Sequence, residues 1–184
     1  VELASFTSLV SANNVELKWQ TETEENNSGF DIERKSGAQW QKIAFVNGSG
    51  TSNIANTYVF IDKALQSGNY QYRLKQIDYN GNYEYFNLSS DVLIGTPDKF
   101  ELAQNYPNPF NPSTLINFNL PSESFVSLAI YDLSGKEVMN LMREKKPAGY
   151  YSVNVNAGAL PSGAYFYRIS AGQFNSVRKM ILLK

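Results

Sequence analysis

The chain contains no cysteine and no histidine. The first absence removes disulfides, thiolate nucleophiles and every zinc site built on Cys or His. The second removes a Ser-His-Asp triad and the usual general base near neutral pH. Lack of cysteine leaves export open, because secreted domains of this size can fold without a disulfide. Neither sign of charge dominates: 16 basic residues face 17 acidic ones, for a net charge of −1. With no basic stripe, binding of nucleic acid through its phosphates is not expected. No apolar run reaches the length of a membrane span. The start Val1-Glu2-Leu3-Ala4-Ser5-Phe6 lacks the basic opening and apolar core of a signal peptide. If the protein is exported, Val1 is therefore not expected to be its native beginning. No helix-period segment stands out, and no cofactor is expected.

What is present is alternation. Hydrophobic content of 42% with 14% aromatic supports packed cores, and 184 residues suffice for one or two domains. Val15 to Thr21 places Val15, Leu17, Trp19 and Thr21 on one face. Strands are also expected over 30–34, 40–46, 58–62, 69–77, 83–86 and 91–94. A Gly/Ser loop is expected at 47–52, a solvated loop at 22–27 and a hairpin turn at Asn80-Gly81. Seven short strands at this spacing predict an immunoglobulin-like or fibronectin type III-like sandwich. Strands are expected again over 115–120, 126–131, 137–141, 151–155 and 174–183, with a loop at 145–149. Gly135 is placed to supply the positive φ of the turn after Tyr131.

The halves share a pattern. Ala64-Leu65-Gln66-Ser67-Gly68-Asn69-Tyr70-Gln71-Tyr72-Arg73-Leu74 parallels Ala159-Leu160-Pro161-Ser162-Gly163-Ala164-Tyr165-Phe166-Tyr167-Arg168-Ile169, at an offset of 95 residues. That is about the size of one sandwich, and Tyr70 and Tyr165 fall where a tyrosine corner would sit. The expected organisation is all-β: two tandem antiparallel sandwiches over 1–95 and 99–184, with a linker at 96–98.

Between them lies Ala103-Gln104-Asn105-Tyr106-Pro107-Asn108-Pro109-Phe110-Asn111-Pro112-Ser113-Thr114. Three prolines in six positions fix φ and remove backbone donors, and they push the preceding residues toward extended conformations. A stiff extended segment along a domain edge is expected. Tyr106 and Phe110 are its candidate anchors, and Phe110 is the one expected to staple it to its own sandwich.

This run, with Ile130-Tyr131-Asp132-Leu133-Ser134-Gly135-Lys136 and Leu160-Pro161-Ser162-Gly163-Ala164-Tyr165, resembles the C-terminal sorting domains (type A) of the type IX secretion system. The likeness covers roughly 99–184. Trp19 to Glu24 and Gly29 to Arg34 make 1–95 similar to the fibronectin type III-like modules that precede such domains. The resemblance implies a non-enzymatic address label on a cargo protein covalently upstream. Its recognition residues are Asn105, Tyr106, Pro107, Asn108, Pro109, Phe110, Asn111, Pro112, Gly135, Gly163, Tyr165, Lys179 and Lys184. The implied partners are the type IX translocon and a sortase-like protease, with a cut in the linker Gly95, Thr96, Pro97, Asp98. The implied destination is the cell surface or the medium, by way of the periplasm and outer membrane of a Gram-negative-type bacterium. The membrane is met only through the secretion machinery.

Chemistry elsewhere is thin. Glu22, Glu24, Glu25 and Asp31 could be imagined as a glycosidase pair, but a solvated loop explains them. Asp78-Tyr79-Asn80-Gly81-Asn82 fails as a calcium loop, because its sixth and twelfth places are Tyr83 and Ser89. Gly135-Lys136 fails as a phosphate loop, because position 130 is Ile. Trp40 is a candidate sugar contact. A carbohydrate-binding accessory module of a secreted glycoside hydrolase is one alternative function, and a structural or adhesin spacer is another.

Overall fold

The computed structural model describes residues 1–184, which form two compact units, Val1–Gly95 and Thr96–Lys184. Both are all-β and built from antiparallel strands in facing layers, the immunoglobulin and fibronectin type III-like plan.

The first unit contains β1 (Glu2–Ser11), β2 (Asn14–Lys35), β3 (Gln41–Ser52), β4 (Asn56–Asp62), β5 (Gly68–Asp78), β6 (Tyr83–Asn87) and β7 (Val92–Ile94). The long β2 belongs to both layers. Its first half pairs with β1 and β4, and its second half with β3 and β5. β5 in turn pairs with β6 and β7. Alternation drives the first half: Val15, Leu17, Trp19 and Thr21 are buried. Phe30 and Ile32 bury from the second half, so the two ends of one strand pack onto each other. Trp19 meets Phe30 edge-on at 5.5 Å and stacks on Tyr58 at 5.4 Å. Each such large side chain contributes about 1.5–3 kcal/mol by leaving water.

The seven strands differ from those expected in two ways. β1 adds a strand, and the segments at 15–21 and 30–34 are one continuous strand rather than two. The intervening 22–27 is no solvated loop, because Glu24 and Asn27 are buried. Here β2 crosses from layer to layer, and its register slips between Glu24 and Gly29. The Glu24 carboxylate accepts hydrogen bonds from Thr21 Oγ1 (2.8 Å), Asn27 Nδ2 (2.7 Å), Ser49 N (2.9 Å) and Tyr58 Oη (2.6 Å). Burial pushes its pKa up, but these bonds together outweigh burial and hold it below the ordinary glutamate value. Tyr58 is pushed up to about 12 by burial and by Glu24 beside it. Glu24 is thus an acceptor that ties β2, β3 and β4 together at the layer crossing. Gly29 serves the same crossing: a Cβ there would run into the Val46 carbonyl and the Phe45 ring. The expected Gly/Ser loop at 47–52 is the end of β3, recruited by pairing with β2.

The second unit contains β8 (Glu101–Leu102), β9 (Ser113–Leu120), β10 (Ser124–Tyr131), β11 (Glu137–Lys146), β12 (Gly149–Asn156), β13 (Gly163–Ala171) and β14 (Phe174–Leu182). One layer runs β11-β10-β13-β14 and the other β12-β9-β8. Ile116, Phe118 and Leu120 from β9 meet Val126, Leu128 and Ile130 from β10 in a single core, with Tyr167, Ile169, Met180 and Leu182. Pro121 stops β9, as its missing N–H requires. Lys145 and Lys146, expected in a loop, extend β11, where they pair with Phe125 and Ser124.

The repeated motif is the same device in both units. Tyr70 Oη donates to the Gln66 carbonyl at 2.9 Å, and Tyr165 Oη donates to the Pro161 carbonyl at 2.8 Å. Both are tyrosine corners. The turns Asp78–Asn82 and Asp132–Lys136 also match. Each closes with the Gly N–H on the Asp carbonyl, and the Gly sits at positive φ: 89° at Gly81 and 83° at Gly135. This is the three-residue hairpin with a left-handed glycine.

Candidate functional site

The proline segment does not run extended. Residues 107–109 are bends, and the Tyr106–Pro107 and Asn108–Pro109 peptides are cis. Side-chain hydrogen bonds that no local propensity encodes hold the bend. Asn105 is buried, and its Nδ2 donates to the Pro107 carbonyl (3.0 Å) and to Thr114 Oγ1 (2.9 Å). Thr114 Oγ1 donates in turn to the same Pro107 carbonyl at 2.8 Å. Beneath the segment, Tyr167 Oη accepts from the Asn105 N–H (2.8 Å) and donates to the Ala103 carbonyl (2.7 Å). Burial pushes the Tyr167 hydroxyl's pKa up, so it stays a donor across the physiological range.

The far end of the segment is sewn to β14. The Phe110 N–H donates to the Ile181 carbonyl at 3.0 Å, and the Leu183 N–H donates to the Phe110 carbonyl at 2.9 Å. Asn108 Oδ1 accepts from the Ile181 N–H (2.9 Å), and Gln104 Nε2 reaches the Lys179 carbonyl (2.8 Å). The segment therefore occupies part of an otherwise open sheet edge. Phe110 is 2% exposed and joins the core, whereas Tyr106 is 81% exposed. Of the two candidate anchors, only Phe110 anchors. Pro109 and Asn111 are exposed, and the Pro112 carbonyl accepts from the Ala157 N–H at 2.9 Å.

The remaining expected residues form a second grouping. Gly163 and Tyr165 border a shallow groove with Asp132, Leu133 and Ser134 of the turn that Gly135 closes. A larger groove of about 430 Å³ adjoins the same turn, lined also by Tyr131, Phe166, Arg168 and Val177. Arg168 and Tyr131 had no signal in spacing, because only strand pairing brings β10 and β13 side by side. Lys179 is exposed, and Lys184 Nζ reaches the Gly158 carbonyl at 2.9 Å. Gly95, Thr96 and Asp98 are exposed, but Pro97 is buried and Phe100 stacks on Phe174 at 5.3 Å. Trp40 is half-buried, with the Arg73 guanidinium 4.4 Å over its ring. A sugar stacking on that face would have to displace the cation.

No curated protein matches the chain. Among solved structures, dimeric latent PorU from Porphyromonas gingivalis aligns over 99% of this chain at 16% identity with a TM-score of 0.38. The chain spans 20% of that protein. Chicken CNTN1 domains FN1-FN3 align over 100% of this chain and 68% of that one, at 15% identity and a TM-score of 0.35. Residues 104–183 match the family described as the secretion system C-terminal sorting domain, from the second residue of the proline segment to the residue after β14. Residues 104–183 are thus similar to the type IX secretion C-terminal sorting domains, a family whose bearers are exported through the outer membrane to the cell surface or the medium.

Proposed function

We propose that residues 99–184 are a non-enzymatic sorting signal that directs a cargo protein, attached upstream, through the type IX outer-membrane translocon. Residues 1–95 serve as a spacer sandwich that holds the cargo away from the signal. The observation that carries this reading is the family match over 104–183, on a segment that the fold holds in one shape. A recognition element already locked in its bound form loses little entropy on docking. Here the Asn105, Tyr167 and β14 bonds do the locking, and exposed Tyr106, Asn108 and Pro109 are left for a partner to read.

A sortase-like protease is the expected second partner. Its cut falls within Gly95–Asp98, where all residues but Pro97 are exposed. Deleting residues 99–184 from the cargo fusion is expected to leave the cargo in the periplasm of a strain carrying the exporter. Cargo that still reaches the medium would refute the sorting role. Mass spectrometry of exported cargo maps the cut, and a product that retains Phe110 would remove the linker from consideration.

A further inference from the structure

The larger groove beside the Asp132–Lys136 turn holds an unspent cation. Arg168 projects from the outer face of β13, with its guanidinium 4.7 Å over the Tyr131 ring and Nη2 donating to Tyr131 Oη at 2.9 Å. The ring fixes the guanidinium's position but neutralises none of its charge. Arg34, Arg73 and Arg143 each pair with a carboxylate, whereas Arg168 pairs with none.

The nearby carboxylates form no ion pair with Arg168, although Asp132 lines the groove and Glu137 Oε2 accepts from Tyr131 Oη at 3.5 Å. Asp132 Oδ1 accepts from Ser134 Oγ (2.6 Å), Ser134 N (2.8 Å) and Lys136 N (3.0 Å), which hold its carboxyl below the ordinary value. Glu137 is held by Arg143 at 2.6 Å. Lys179 is cross-strand from Phe166 on the same outer face and likewise has no acidic partner. Three exposed apolar side chains flank this charge, Leu133 (71% exposed), Val177 (53%) and Phe166 (36%), in a groove that Asp132 and Ser134 also line.

We propose that this groove docks an acidic segment of a partner protein, in which a carboxylate side chain flanked by aliphatic residues is gripped by Arg168. The guanidinium fork matches a carboxylate bidentately, and its donors not engaged by Tyr131 are free to do so. Leu133, Phe166 and Val177 cover the flanking aliphatic groups, which a bare inorganic anion lacks. The proposal rests on the sorting reading only for where the partner resides, namely in the export machinery.

The test is a titration of the full 184-residue chain, followed by amide ¹H–¹⁵N correlation spectra. The probe is the peptide acetyl-Leu-Glu-Leu-Glu-Leu-amide. Its Leu-Gln-Leu-Gln-Leu counterpart and inorganic phosphate are run beside it. The expected result is shifts confined to Asp132–Gly135, Phe166–Arg168 and Val177, with roughly tenfold weaker binding of the Gln peptide. Arg168→Met, at an exposed position, is expected to keep the spectrum of a folded chain and lose the response. Equal shifts with the Gln peptide or with phosphate, an undiminished response in Arg168→Met, or no localised shift at millimolar peptide would each overturn the proposal. Cargo export after deletion of 99–184 is scored separately, so failure of the sorting reading and failure of the groove are told apart.

Discussion

The assignment of Phe110 as anchor and Tyr106 as display residue makes a two-sided prediction. Phe110→Ala removes a ring that is 2% exposed and embedded among the core residues of the second unit. Truncations of this kind cost about 3–5 kcal/mol, for lost burial and for the cavity left behind. A unit of this size has about 4–13 kcal/mol to lose, so the substitution removes a large share of its stability. Tyr106→Ala alters a side chain that is 81% exposed and is expected to cost under about 0.5 kcal/mol. Urea unfolding can separate the units, because both tryptophans, Trp19 and Trp40, lie in Val1–Gly95. Tryptophan fluorescence then reports the first unit alone, and far-UV circular dichroism reports both. Phe110→Ala should move only the dichroism transition that the tryptophans do not see, and Tyr106→Ala should move neither. In the export assay Tyr106→Ala should reduce secretion without loss of stability. A Phe110→Ala loss below about 1 kcal/mol, or a Tyr106→Ala loss above it, would refute the assignment.

Three further outcomes are expected. Tyr167→Phe deletes the hydroxyl that bridges Ala103 and Asn105, and should cost the second unit about 1–3 kcal/mol in the dichroism transition. Glu24 has a lowered folded pKa, so its contribution is present above the ordinary value of 4.5 and is lost as pH falls through the folded value. The tryptophan-monitored transition should therefore weaken below about pH 4.5, and Glu24→Gln, which turns an amide N–H₂ toward two donors, should be less stable at pH 7 and flatter with pH. Gly135→Ala at φ 83° should cost the second unit about 1–2 kcal/mol by the same dichroism measurement.

The sequence carried the repeat clearly, because the Gly-x-Tyr-x-Tyr spacing is a local signature of one structural device. It carried the Asp132–Lys136 turn for the same reason: a glycine in the right place suffices. It also singled out Phe110, since a large apolar residue among prolines has few other uses. What stayed hidden depends on partners distant in the chain. Glu24 looks like a solvent residue until Ser49 and Tyr58 arrive to bond it. β1 is an edge strand whose half-exposed pattern carries no clean alternation. The bend at 107–109 is held by Asn105 and Thr114, and prolines alone gave no sign of it. Arg168 was invisible as part of a site because its setting exists only across the β10–β13 ladder.

The seam between Phe110 and β14 also sets an order of events. The carbonyl that receives the Phe110 N–H belongs to Ile181, and the N–H that meets the Phe110 carbonyl belongs to Leu183. A polypeptide emerging from the ribosome can form the earlier hairpins as they appear, but it cannot seat this aromatic ring until residue 183 has been made. The second unit is therefore unfinished until β14 has been made, and a chain broken off before residue 181 leaves Phe110 without either of its backbone partners there.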